Sequence, residues 1–364
     1  MKSAKAMASG AVLMLGLAGA SHATLPAQAG RSCEWPPLGP QVRQLPAPGG
    51  SRCVGKAGFV LLDPARRESF ASEPEARREL ALKIWYPVAN PGQGLTRAEY
   101  AEPEALAALQ EIDGKVHIAS HSLRDAPMEK NRQYPVLLFS PGLGAVAEFY
   151  SGLLEDLASR GYVVVAINHP HISGMTVLPG GRVIPLLKAL ESDDRLTASA
   201  AQVVVDDLRS TLDWLQQRHQ EPGHLLQGHL DLTRVGALGH SFGGSAALQA
   251  TRVDSRLRAA ANLDGSIQGD LAGPWVKPLL LYAAGNDPQD PSMEQLWQAH
   301  QGPGVRKVLK QAGHHDFTDG RWVLSAKALE AMGDQFGPID RDLALRTLRL
   351  ELGGFFARYV ARRI

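Results

Sequence analysis

The chain has 364 residues, 44% of them hydrophobic, enough for a large core in one α/β domain with insertions or in two domains. Its 38 Lys and Arg stand against 37 Asp and Glu, so no basic field argues for nucleic acid as a partner. Neither an internal repeat of about 20–50 residues nor a heptad run is visible.

At the N-terminus, Lys2 and Lys5 make a basic start, residues 11–20 are apolar, and Ser21-His22-Ala23 places small residues at the first and third positions of a cleavage site. The apolar run is much shorter than the roughly 20 residues of a membrane-spanning helix. Residues 1–23 therefore read as a signal peptide, cleaved after Ala23 with Ala29 as the alternative, and the protein as periplasmic or secreted; a membrane anchor is the competing reading. Removing the peptide leaves 36 basic against 37 acidic residues, a net charge of −1.

The two cysteines, Cys33 and Cys53, flank a stretch holding Pro36, Pro37, Pro40, Pro46 and Pro48. In an oxidising compartment they are expected to pair and to pin an irregular arm, residues 24–58, onto a domain spanning 59–364. Neither is near a candidate histidine, which argues against a catalytic cysteine.

Residues 80–86 alternate, with Leu80, Leu82, Ile84 and Tyr86 on one face, and predict a strand near a sheet edge. Residues 90–133 are polar, helix-prone over 104–111, and read as an insertion. The continuous apolar run 136–140 predicts a buried strand, followed by Pro141-Gly142-Leu143-Gly144. A helix is expected over 148–160, with Phe149, Leu153, Leu154 and Leu157 on one side and Gly161 as its stop. A buried strand over 162–167 follows. Residues 170–197 are irregular; Leu178, Leu186, Leu187 and Leu190 belong either to a lid or to the core. A long helix is expected over 198–218.

The segment Gly239-His240-Ser241-Phe242-Gly243-Gly244 follows the apolar run Val235, Gly236, Ala237, Leu238 and precedes a helical run, 245–252. This is the G-x-S-x-G strand–turn–helix in which the turn holds a serine in a strained conformation at the sheet's C-terminal edge. Strands over 259–263, 278–283 and 305–309 and a helix over 343–359 complete the pattern. Strands alternating with helices imply a mainly parallel central sheet flanked by helices, with insertions that can form a lid.

A serine hydroxyl needs a base, the base an orienting carboxylate, and the developing oxyanion needs donors. In this architecture the chain order is Ser, acid, His. The base candidates are His314 and His315; His314 is preferred because Gly313 frees the loop to turn just before it. Adjacent histidines rarely converge on one ion, so no metal is expected at His314, His315 and Asp316. For the acid, Asp264 and Asp287 both follow strands on the correct edge, and sequence logic leaves them even. The oxyanion donors expected are the backbone N–H groups of Phe242, after the nucleophile, and of Leu143, in the glycine-rich loop.

Together these residues resemble the platelet-activating factor acetylhydrolase family, the plasma or type II branch of the α/β-hydrolases. The likeness runs from about Phe59 to Asp319. It includes Leu61-Leu62-Asp63-Pro64-Ala65-Arg66-Arg67, Trp85-Tyr86-Pro87, Phe139-Ser140-Pro141-Gly142-Leu143-Gly144, Leu157-Ala158-Ser159-Arg160-Gly161-Tyr162-Val163-Val164 and Asn168-His169-Pro170. The turn at 239–244, Leu263-Asp264, and His314 with Phe317 and Asp319 continue it. The family often has His where Pro141 stands, a departure that bears on substrate preference rather than mechanism.

The resemblance implies an α/β-hydrolase fold, Asp264 as the acid, and a calcium-independent, cofactor-free esterase. Its substrates would be short or oxidised acyl chains of a phospholipid, or other small esters. No nucleic acid, at most peripheral membrane contact, and no obligate protein partner are expected. Polyester and cutinase-like hydrolases resemble the chain at Gly285-Asn286-Asp287 instead, and would make Asp287 the acid. A peptidase or amidase, and a non-catalytic binding scaffold, are the remaining alternatives; fold alone does not separate them.

Overall fold

The computed structural model describes residues 35, 38–88, 96–113, 117–269, 274–285 and 290–362; residues 1–23, read above as a signal peptide, Cys33 and Asp287 lie outside them. The chain begins with β1 (Val42–Gln44), β2 (Cys53–Arg67), β3 (Arg77–Val88), β4 (Arg97–Glu99), α1 (Pro103–Asp113), β5 (His117–Arg124) and β6 (Tyr134–Ser140). It continues through α2 (Ser151–Ser159), β7 (Val163–Asn168), the hairpin β8 (Met175–Leu178) and β9 (Arg182–Pro185), α3 (Asp194–Gln220), β10 (Leu230–His240) and α4 (Phe242–Val253). The last part holds β11 (Leu257–Leu263), β12 (Leu279–Ala284), α5 (Pro291–Ala299), β13 (Gly304–Leu309), α6 (Gly320–Val323), α7 (Ala326–Ala331) and α8 (Arg341–Phe356).

Among the described residues, eleven strands form one sheet in the order β1-β5-β2-β3-β7-β6-β10-β11-β12-β13, with β4 on β5. Every pairing from β7 onward in that order is parallel. The period of two sorts the side chains of the central strands into two layers. Val136 and Leu138, Val163 and Val165, and Val235 and Ala237 face α3 and α4. Leu137 and Phe139, Val164 and Ala166, and Leu238 face α2 and α8. Both faces are covered, which is why these strands read as unbroken apolar runs rather than as alternating ones.

The register brings the site together. Ser140 lies beside Gly239, so the loop after β6 runs next to the turn after β10. His240 pairs with Leu263, so Asp264 emerges beside Ser241. All these strands point the same way, and their C-terminal ends share one edge.

Four expectations need correction. The strand read over 80–86 is not near an edge: β3 lies inside the sheet, antiparallel to β2 and β7, and its core residues are buried on both faces. The stretch read as an irregular arm contains β1 and the first residues of β2, because Val54 and Ala57 fit the two core layers. The polar insertion supplies β4 and β5, which extend the sheet beyond β2. The helix read over 148–160 is one 3-10 turn, Ala147–Tyr150, followed by α2. Gly161 does end it, at φ 103°. No helix among the described residues is long and apolar enough to cross a membrane.

Candidate active site

Ser241 sits between β10 and α4 at φ 53°, ψ −126°, a conformation that L-residues rarely adopt and that persists only when its surroundings enforce it. Its N–H donates to Leu263 O at 2.8 Å, and its carbonyl accepts the Gly244 N–H at 2.9 Å. Two glycines make the turn sterically feasible. A Cβ on Gly239 would strike the Gly243 backbone, and one on Gly243 would strike the carbonyls of Ser140 and Pro141.

Asp264 is also at positive φ, 54°. Its N–H donates to Tyr282 O at 2.7 Å, and its Oδ1 accepts the Ala284 N–H at 2.7 Å. The remaining oxygen, Oδ2, is 2.7 Å from His314 Nδ1. A carboxylate only accepts, so the proton of a neutral imidazole lies on Nδ1, and Nε2 is left as the basic nitrogen. His314 opens a single 3-10 turn, His314–Phe317, after β13. Asp316 staples that turn: it accepts the N–H groups of Gly313 at 2.9 Å and Gly337 at 2.8 Å and pairs with Arg321.

Ser241, Asp264 and His314 line one cavity of about 320 Å³, together with Leu143, Phe242 and Met293. Ser241 and His314 face it without a hydrogen bond to each other among the described contacts; such bonds commonly tighten only when substrate is present. The Leu143 and Phe242 N–H groups also lack a hydrogen-bond partner among the described residues. The N–H of Gly142, the residue before Leu143, is already engaged, donating to Tyr150 Oη at 3.3 Å. The N-terminus of α4 adds its partial positive charge at the same place.

Of the paired histidines, His314 alone bonds Asp264. The His315 ring packs edge-on against His314 and tilted against Phe336, and burial lowers its pKa to about 4. His300 caps α5 and lies against Lys277 O. Asp287, the rival acid, is outside the described residues. Leu178 and Leu190 are buried in the core, Leu186 and Leu187 pack against it, and none of the four lines the cavity. Among the described residues no group of three His, Cys, Asp or Glu is arranged to hold a metal.

Two features were not foreseen from the sequence. His240 and Tyr150 form a buried pair beside Ser241, with Tyr150 Oη 2.9 Å from His240 Nδ1. A second Ser-His-Asp set lies deeper: Ser140 Oγ is 3.0 Å from His169 Nε2, and His169 Nδ1 is 2.7 Å from Asp207 Oδ2. All three are at most 1% exposed, so no substrate reaches them. Burial alone would raise the Asp207 carboxyl, but Arg78 and His169 outweigh it and hold it far below the usual range. The Asn168-His169-Pro170 motif marked the place, but spacing could not show that Ser140 and Asp207 close on it.

Residues 66–178 match the family model described as platelet-activating factor acetylhydrolase, isoform II. A "Probable 1-alkyl-2-acetylglycerophosphocholine esterase" of Arthroderma benhamiae is 30% identical over 209 residues, 54% of this chain and 51% of that one. The chain thus spans about half the length of that relative. A platelet-activating factor acetylhydrolase of Cavia porcellus is 25% identical over 79% of this chain and 71% of its own. Among solved structures, a ferulic acid esterase from Streptomyces cinnamoneus superposes with a TM-score of 0.77 at 28% identity, covering 88% of this chain and 94% of that one. The fold is that of the α/β-hydrolases, and the chain is similar to the platelet-activating factor acetylhydrolase family.

Proposed function

We propose that the chain is an exported serine esterase that hydrolyses short-chain carboxylic esters, phospholipid-like ones among them, through an acyl-enzyme. The observation that carries this reading is the hydrogen bond from His314 to Asp264 at a cavity that also holds Ser241 and two unbonded backbone N–H groups. In the mechanism, Ser241 Oγ attacks the ester carbonyl carbon while His314 Nε2 takes its proton. Asp264 holds the imidazole and stabilises the imidazolium that forms. The Leu143 and Phe242 N–H groups receive the oxyanion. The imidazolium then protonates the departing alcohol, and water, deprotonated by the same nitrogen, releases the acid and restores Ser241.

Export and a Cys33–Cys53 disulfide belong to the same proposal. They are supported by the leader-like residues 1–23 and by Cys53, which is buried and is no free thiol. The match to the ferulic acid esterase over 94% of its chain favours a second acyl class, aromatic acids, at the same site.

The test is hydrolysis of p-nitrophenyl esters from acetate to palmitate, and of methyl ferulate, by residues 24–364 and by variants. Turnover of short acyl esters and a fall in kcat of at least about 10³-fold in Ser241→Ala are expected. Asp264→Asn should lose about 10⁴-fold, whereas Asp287→Asn stays near the parent rate. Loss in the Asp287 variant alone would move the acid to that strand end. Cleavage of no ester by the parent would end the esterase reading.

A further inference from the structure

We propose that Tyr150 and His240 are positioning residues that tie the oxyanion loop to the loop carrying His314. The proposal rests on the reading of Ser241, Asp264 and His314 as the reacting set. Three hydrogen bonds make the tie. Gly142 N lies 3.3 Å from Tyr150 Oη, Tyr150 Oη lies 2.9 Å from His240 Nδ1, and His240 Nε2 lies 2.9 Å from the backbone oxygen of His314.

The chain of bonds has one consistent direction. The His314 carbonyl can only accept, so His240 Nε2 carries a proton and donates it. A neutral ring then presents Nδ1 as an acceptor, and the Tyr150 hydroxyl must donate to it. The phenol oxygen keeps a lone pair for the Gly142 N–H. The states of both side chains agree with this. Burial, reinforced by repulsion from His314 and His315, holds the His240 imidazole well below its ordinary pKa. Burial likewise holds the Tyr150 phenol above its own, with Asp319 adding to the effect.

The tie has two consequences for the site. Because Tyr150 takes the Gly142 N–H, the next N–H in the loop, that of Leu143, is the one left for an oxyanion. Because His240 holds the His314 backbone, the base loop is fixed to the residue immediately before Ser241. Ring packing supports both ends: Tyr150 lies 4.7 Å from Phe139, and His240 lies 4.4 Å from His314 and stacks on Phe317 at 5.8 Å between centroids. An angstrom of misplacement between base, nucleophile and oxyanion donor costs on the order of 10²-fold in rate.

The experiment compares Tyr150→Phe, His240→Gln and His240→Leu with the parent. It reads kcat and KM on an ester the parent cleaves, unfolding midpoints, and the imidazole nitrogen–hydrogen spectrum of the parent. Tyr150→Phe is expected to lower kcat about 10- to 100-fold with KM within about twofold. Glutamine offers a donor nitrogen and an acceptor oxygen that can stand in for the two ring nitrogens, so His240→Gln should turn over about tenfold faster than His240→Leu at a similar midpoint. Equal kcat in the Gln and Leu variants, or an unchanged kcat in Tyr150→Phe, overturns the proposal. In the parent spectrum, from about pH 5 to about pH 9, His240 should keep Nε2 protonated and Nδ1 bare. A titrating ring or an Nδ1–H overturns the tie even if the variants do not fold. A parent that shows the expected ring state but cleaves no ester instead refutes the esterase reading.

Discussion

Asp319, two residues past the His314–Phe317 turn at the start of α6, is 1% exposed. Its two oxygens take the Gly152 N–H at 3.1 Å, and one of them takes the Tyr100 hydroxyl at 3.2 Å. Unlike Asp207, it has no guanidinium fork against it, and burial raises its pKa to about 8, with repulsion from Glu155 adding to the rise. The folded value lies above the unfolded one, so folding favours the protonated form. That contribution is complete below the unfolded pKa near 3.8 and is lost as pH rises to about 8. Asparagine mimics the protonated acid. Asp319→Asn should therefore flatten the decline in stability over this window, where one such group adds a slope of up to about 1.4 kcal/mol per pH unit. Urea unfolding of parent and variant at both ends of the window checks this; equal slopes would mean that Asp319 is ionised in the folded protein.

The element that most constrains the site is the turn from β10 to α4. Its tolerance can be compared with that of α8 by one substitution made in both. In Gly243→Ala the new Cβ would fall on the backbone carbonyls of Ser140 and Pro141, at the root of the oxyanion loop. Neither carbonyl can swing aside as a flexible side chain would. A loss of about 1–3 kcal/mol is expected, with kcat falling as the loop shifts. At Gly354, exposed on α8, an added Cβ meets nothing within 4 Å. Gly354→Ala should gain about 0.5–1 kcal/mol, because alanine loses less backbone freedom in a helix. Denaturant midpoints of the two variants should move in opposite directions; a shift of the same sign would show that sterics at the turn do not decide the outcome.

Across the whole molecule, the N-terminal stretch is joined to the body at more than the proposed disulfide. Arg349 on α8 donates to the carbonyls of Pro46, Ala47 and Gly152. The N–H groups of Gly49 and Gly50 bond Asp156 and Ser159 on α2 at 2.7 and 2.9 Å. A Cys33–Cys53 link would thus act mainly on the unfolded chain, where closing a loop of that size contributes about 3 kcal/mol. Cys33→Ser is expected to lower stability by about that amount while leaving kcat unchanged, since none of the arm's described residues lines the cavity at Ser241. Thermal or urea unfolding under oxidising conditions measures it; an unchanged midpoint would argue that the cysteines are not paired.

The fold class, the strands from 136 to 309, and the proposed serine–carboxylate–histidine set were all readable from the chain itself. They rest on local signals: unbroken apolar runs, helical periodicity, and glycines spaced for one sharp turn at Ser241. The interior place of β3 was not readable, because half-buried alternation at Leu80, Leu82, Ile84 and Tyr86 looks the same at an edge until the pairing partners are known. Gly313 favoured His314 over His315 in the sequence, but that His314 bonds Asp264 is a matter of side-chain direction at a 3-10 turn. His240 in the turn and Tyr150 ninety residues away carried no shared signal in sequence, since only packing brings them to 2.9 Å. Local pattern follows from the intrinsic preferences of neighbouring residues, whereas a hydrogen bond between distant side chains exists only once the sheet register has placed both ends.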